Sequence, residues 1–62
     1  MKVFLWNRRK ERGWSTRELA ERSGISKSTI NRIENGQISP TVDTVEILAK
    51  TLDCTFWEMF KK

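Results

Sequence analysis

Histidine and tyrosine are absent from the 62 residues, cysteine and proline occur once each, and glycine occurs three times. Each shortage removes a class of answer. Without histidine the commonest general base at neutral pH is missing, and Cys54 has no neighbouring base to make it a nucleophile. A lone thiol forms no internal disulfide and, with no imidazole beside it, no zinc site, so neither a metal nor a cofactor is expected. Glu18 and Glu58 fall at capping positions rather than as a catalytic pair, and there is no glycine-rich phosphate loop. An enzyme is not expected. The stretch Met1–Trp6 is cut off by Asn7-Arg8-Arg9-Lys10, too soon for the core of a signal peptide. A bilayer span needs about 20 apolar residues, and no such run exists. The expected setting is cytoplasmic, with no membrane.

What is plentiful is charge, and more of it is positive. Twelve Lys and Arg against eight Asp and Glu give a net charge of +4 and a sequence pI near 9.7. Residues 1–36 hold nine basic and four acidic groups, a net +5, whereas residues 37–62 hold three basic and four acidic groups, a net −1. The first half therefore favours a polyanion, either nucleic acid or an anionic membrane surface. With 37% hydrophobic and 32% charged residues the chain reads as an ordinary folded one. Its length predicts one domain, 1–62, burying about 60% of the surface of the unfolded chain, with no room for a second, ligand-sensing domain.

The stretch Ser15–Gly36, STRELAERSGISKSTINRIENG, carries the most specific pattern. Leu19 and Ala20, then Ile25, then Ile30 and Ile33 recur at helical spacing on two short segments separated by Gly24. Ser15 followed by Glu18 predicts a capping box in which each side chain accepts a backbone N–H, so a helix starts near Thr16. Gly24 stops it in the left-handed conformation, Ile25 drops into the core, and Ser26 caps a helix running from Lys27 to a left-handed stop at Asn35-Gly36. With Ile30 and Ile33 inward, Lys27, Ser28, Asn31 and Arg32 share the opposite face.

These residues, together with Pro40, Thr44 and the Ile47-Leu48-Ala49 helix, resemble the phage Cro/repressor family, also called the xenobiotic-response-element family. The likeness covers nearly the whole chain. It implies an all-α, compact bundle of five short helices containing a helix-turn-helix.

The other elements are expected in order around it. Helix one spans Val3 to Arg12, with Met1, Leu5 and the stem of Arg9 on one face and Gly13 as its stop. The family commonly has an apolar residue at Arg8, so Trp6 or Phe4 is expected to compensate. Trp14 takes a core position with its indole N–H on a carbonyl. Arg9 matches the family arginine that pairs with the glutamate of E-N-G, here Glu34. Thr41 and Asp43 open helix four, Val42 to Leu52, with Val45, Leu48, Ala49 and Leu52 inward and Ile47 outward. Thr55 and Glu58 repeat the capping-box pattern before a fifth helix that ends at Lys61-Lys62 and covers the core with Phe56, Met59 and Phe60.

For DNA the resemblance places the Lys27–Asn35 helix in the major groove. Arg32 then suits guanine O6 and N7, Asn31 adenine N6 and N7, Ser28 either base, and Lys27 either a guanine or a phosphate. A merely solvated helix face is the alternative for all four. Thr16, Arg17, Thr29, the backbone of Asn35 and Gly36, and Thr41 are the phosphate candidates, with capping and turn chemistry as the plain alternative for Thr29, Asn35, Gly36 and Thr41. Arg8, Lys10, Arg12, Arg17 and Arg22 are either longer-range attractors or solubilising charges.

The expected partner is double-stranded DNA, as an inverted-repeat operator bound by a homodimer. Ile47, Phe56, Trp57 and Phe60 are the candidate pairing surface. The leading function is a transcriptional regulator, most simply a repressor. The competitors are an antitoxin or mobile-element switch governed by a protein partner, and a protein-interaction module that no longer binds DNA. The intact basic face argues against the last.

Overall fold

The computed structural model of the chain describes residues 3–61. Four α-helices follow in order: α1 (Leu5–Glu11), α2 (Thr16–Ser23), α3 (Lys27–Glu34) and α4 (Val42–Thr51). A 3-10 turn, Trp57–Phe60, closes the chain where a fifth α-helix is expected.

Three of the four α-helices begin at a hydroxyl. Ser15, Ser26 and Thr41 accept from the backbone N–H of Glu18, Thr29 and Thr44, each three residues on. Leu19, Ile30, Ile33, Val45, Leu48, Ala49 and Leu52, all on inward faces, meet Leu5 and Met59 in one buried cluster. Gly24, at φ +79, ends α2 so abruptly that α3 starts three residues later. Ile25 in this turn is only half-buried, packed on the edge of the cluster. After α3, Asn35 keeps a right-handed conformation at φ −86, and the left-handed residue is Gly36, at φ +73.

Several local expectations change because distant groups compete for the same atoms. The Ser15–Glu18 box is one-sided: Ser15 accepts from Glu18 N–H, but the Glu18 carboxylate accepts from Arg22 Nε at 2.7 Å. Arg22 in turn lies 4.4 Å from the Trp14 ring centre, and Arg12 covers that ring at 6.0 Å. Trp14 is therefore half-buried against two guanidinium groups rather than sunk in the core.

Helix one begins two residues later than expected, because Phe4 N–H donates to the Met59 carbonyl at 2.8 Å and holds Val3 and Phe4 outside the helix. Leu5 and Arg9 face inward as read, whereas Met1 lies outside the described residues. Trp6 does not compensate for Arg8: it is 51% exposed, with Lys10 over its ring.

The final turn is held at both ends. Thr55 Oγ1 accepts from Glu58 N–H, and Glu58 Oε1 accepts from Thr55 N–H at 2.7 Å, a complete capping box. Arg8 donates to the carbonyls of Glu58 and Lys61 and to Glu11, and Arg12 donates to the Leu52 carbonyl.

The Thr55 N–H, and after it the Thr55 hydroxyl, hold the Glu58 carboxyl below its ordinary value of 4.5. A depressed carboxyl stabilises the fold above its unfolded pKa and loses that contribution as pH falls through the folded one. The expected result is that the Thr55 amide resonance titrates with a midpoint below 4.5, followed by NMR. A midpoint at or above that value excludes this bond in solution.

Candidate nucleic-acid interface

The second half of the α2–turn–α3 unit presents one polar face. Ile30 and Ile33 lock α3 into the core, and the 3.6-residue period then turns Lys27, Ser28, Asn31 and Arg32 outward, all four exposed. Its surroundings set Arg32 apart from the other arginines. Arg8, Arg9, Arg12, Arg17 and Arg22 each have a carboxylate within 4.0 Å. Arg32 is the one arginine of the six with no ion-pair or hydrogen-bond partner among the described residues. The side chains of Lys27, Ser28 and Asn31 are equally unengaged there. The helix thus carries a positive, donor-rich face that the fold itself does not use.

The flanking groups divide into occupied and available. Ser26 Oγ donates to Thr29 Oγ1 at 2.8 Å while accepting the Thr29 N–H, which leaves the Thr29 hydroxyl proton free to donate outward. Thr41 makes the same arrangement with Thr44, so its hydroxyl is committed to the start of α4 and the Thr44 hydroxyl proton is the available one. Thr16 is half-buried on the first turn of α2, and Arg17 beside it is 80% exposed with only a loose 3.7 Å approach to Glu21. Asn35 and Gly36 are exposed at the end of α3.

Arg8 and Arg12, read as possible long-range attractors, are engaged in fastening the C-terminal segment. That role leaves no trace in local sequence, since the carbonyls they bind lie 40 to 53 residues away.

What fixes the pitch of α3 is one buried pair. Arg9 Nε and Nη2 donate to the two Glu34 carboxylate oxygens at 2.8 and 3.0 Å, and Nη1 donates to the Trp14 carbonyl at 2.7 Å. Their side chains are 10% and 8% exposed. A two-point guanidinium–carboxylate fork sets distance and rotation together, which a lysine does not.

The expected pairing surface is divided. Phe56 and Phe60 pack on the core cluster and against each other edge to face, and Phe56 meets Trp57 the same way. Trp57 and Ile47 are exposed, at 72% and 45%, and so is Val42, at 55%. Val42 was not among the expected residues. Five residues before Ile47 on α4, it stands on a different side of the helix, and no local pattern marks it. The Cys54 thiol sits among these elements 3.5 Å from Met59 Sδ, and burial, with Glu58 nearby, pushes its pKa above the ordinary value.

No helix among the described residues is long and apolar enough to cross a membrane.

Comparison with known proteins aligns with this geometry. The sequence model of the family described as Helix-turn-helix (HTH_3) matches residues 7–56. The HTH-type transcriptional regulator SutR of Escherichia coli is 44% identical over 48 residues, which are 77% of this chain and 27% of that protein. The competence pilus inhibition repressor of Acinetobacter baylyi is 38% identical over 52 residues, covering 84% of this chain and 47% of its own. A crystal structure of an HTH_3 family transcriptional regulator from Vibrio cholerae superimposes with a TM-score of 0.86 at 39% identity, covering 90% of this chain and 32% of that one. The chain thus spans less than half the length of these curated relatives.

Proposed function

This chain belongs to the helix-turn-helix (HTH_3) family of DNA-binding transcriptional regulators, and on that premise we propose that it reads a specific duplex sequence as a repressor, with α3 in the major groove. The observation that carries the reading is Arg32, the one arginine without a partner among the described residues, sharing one exposed face with Lys27, Ser28 and Asn31.

The groove is wide enough for one helix, and each base pair shows a distinct set of donors and acceptors there. Arg32 takes guanine O6 and N7, Asn31 takes adenine N6 and N7, and Ser28 and Lys27 complete the set. Arg17, Thr16, the Thr29 hydroxyl, the backbone of Asn35 and Gly36, and the first turn of α4 at Thr41 hold phosphates, which fix register without reading sequence. One such domain covers one half-site, so the operator is an inverted repeat bound by two copies. Occlusion of a promoter is the simplest consequence.

Selection of duplexes from a random pool at physiological salt tests this directly. Enrichment of a motif is the expected outcome, and uniform retention of all duplexes would leave only a non-specific binder. On the enriched duplex, about six neutralised phosphates per pair of domains give a log-log salt slope near −5. An affinity independent of salt would remove the phosphate assignments.

A further inference from the structure

The chain has three asparagines, and Asn35 is the one followed by glycine. Asn7 and Asn31 precede arginines within α1 and α3, whereas Asn35-Gly36 lies exposed in the turn that ends α3. The side-chain amide carbon of an asparagine lies one ring closure from the next residue's backbone nitrogen, and a glycine puts no Cβ in the way of that approach. The folded turn holds the two groups apart. At ψ 0 the Gly36 nitrogen eclipses the backbone nitrogen of Asn35, turned away from Cβ, and its N–H donates to the Ile33 carbonyl at 3.1 Å. The Gln37 N–H closes the same turn on the Arg32 carbonyl at 2.9 Å.

We propose that Asn35 is a self-modification site, deamidating through the Gly36 nitrogen when this turn opens, and that the product ends the use of α3 on DNA. With the two N–H bonds broken, rotation about the Asn35 Cα–C bond brings the Gly36 nitrogen to Cγ. The N–Cγ bond forms as the Cγ–Nδ2 bond breaks, and the Gly36 proton leaves with the amide nitrogen as ammonia. Water then adds to either carbonyl of the resulting cyclic imide and opens it. An aspartyl or an isoaspartyl residue remains at position 35.

Either product sets a carboxylate at the negative end of the α3 dipole, one residue after Glu34, whose own charge is already matched by Arg9. The isoaspartyl form also inserts a methylene into the backbone, so the bonds to Ile33 and Arg32 no longer re-form in register. Position 35 is where the DNA-binding reading sets a phosphate, and a new negative charge repels it there. The effect on DNA rests on that reading, but the chemistry does not. The result is a one-way switch timed by how often the turn opens.

The test incubates the chain at neutral pH without DNA, folded and in urea, and follows by peptide mass spectrometry the replacement of NH2 by OH at each asparagine. Asn35 should convert in both, about ten- to a hundredfold more slowly when folded, because only the open turn reacts. Asn7 and Asn31, crowded by the arginine that follows each, should lag far behind. In urea, where the fold plays no part, Gly36→Ala should slow conversion about tenfold or more. Equal rates folded and unfolded would overturn the gate, and a folded chain intact after about a hundred half-lives of the unfolded one would overturn the site. Converted chain, separated by its added charge, and Asn35→Asp should each hold the selected duplex about tenfold or more weakly, with the isoaspartyl form also melting lower. Unchanged binding by both would overturn the switch. An unconverted chain that selects no duplex would instead overturn the DNA-binding reading, with the conversion rates still deciding the site.

Discussion

Glu34→Ala is expected to unfold most of the population at room temperature. Removing the carboxylate leaves Arg9 at 8% exposure with Nε and Nη2 lacking their acceptors and only the Trp14 carbonyl still bound. Breaking a buried pair from one side costs about 3–5 kcal/mol, since the remaining charge is desolvated without compensation. A core of this size rarely supplies more than about 3–5 kcal/mol in all, so the loss is comparable to the whole. Thermal and urea melts read it. Glu34→Gln, which keeps one acceptor oxygen, should fall between. The double change Arg9→Met with Glu34→Leu should recover much of the loss, because two apolar side chains carry no stranded charge. A melting temperature unchanged in Glu34→Ala would show that the fork does not anchor α3.

Arg32→Ala separates the site from the scaffold. The side chain is exposed, has no partner among the described residues, and is replaced by the best helix former, so stability should stay within about 0.5 kcal/mol. On the selected duplex the same change should cost about 1–3 kcal/mol per half-site, about a five- to 150-fold loss, and relax preference at one base position. Titrations on the selected and a scrambled duplex, at one salt concentration, distinguish the two roles available to it. Loss confined to the selected sequence means base reading. Equal loss on both would reassign Arg32 to a phosphate. Together with Glu34→Ala, this variant is expected to divide helix α3 into the face proposed for DNA and an end that holds it in place.

Much of this molecule is written locally. Ser15, Ser26 and Thr41 at helix starts, Gly24 and Gly36 after helix ends, and the inward spacing of Leu19, Ile30, Ile33, Val45 and Leu48 set three of the four helices, α2 to α4, because caps and periodicity act within a few residues. Fixing which α3 residues are inward also fixes that Lys27, Ser28, Asn31 and Arg32 point outward. What only the tertiary structure decided are the outcomes of competition between distant groups. Glu18 turns from its own cap to Arg22, Trp14 lies between guanidinium groups, and Phe4 leaves helix one for the Met59 carbonyl. Arg8 and Arg12, basic like their neighbours in sequence, are drawn into binding carbonyls 40 to 53 residues away. Of six arginines, the sequence determined their number and placement. The fold decided which one remains without a partner among the described residues, because ion pairing depends on which carboxylates packing brings within about 4 Å, and no local pattern encodes that distance.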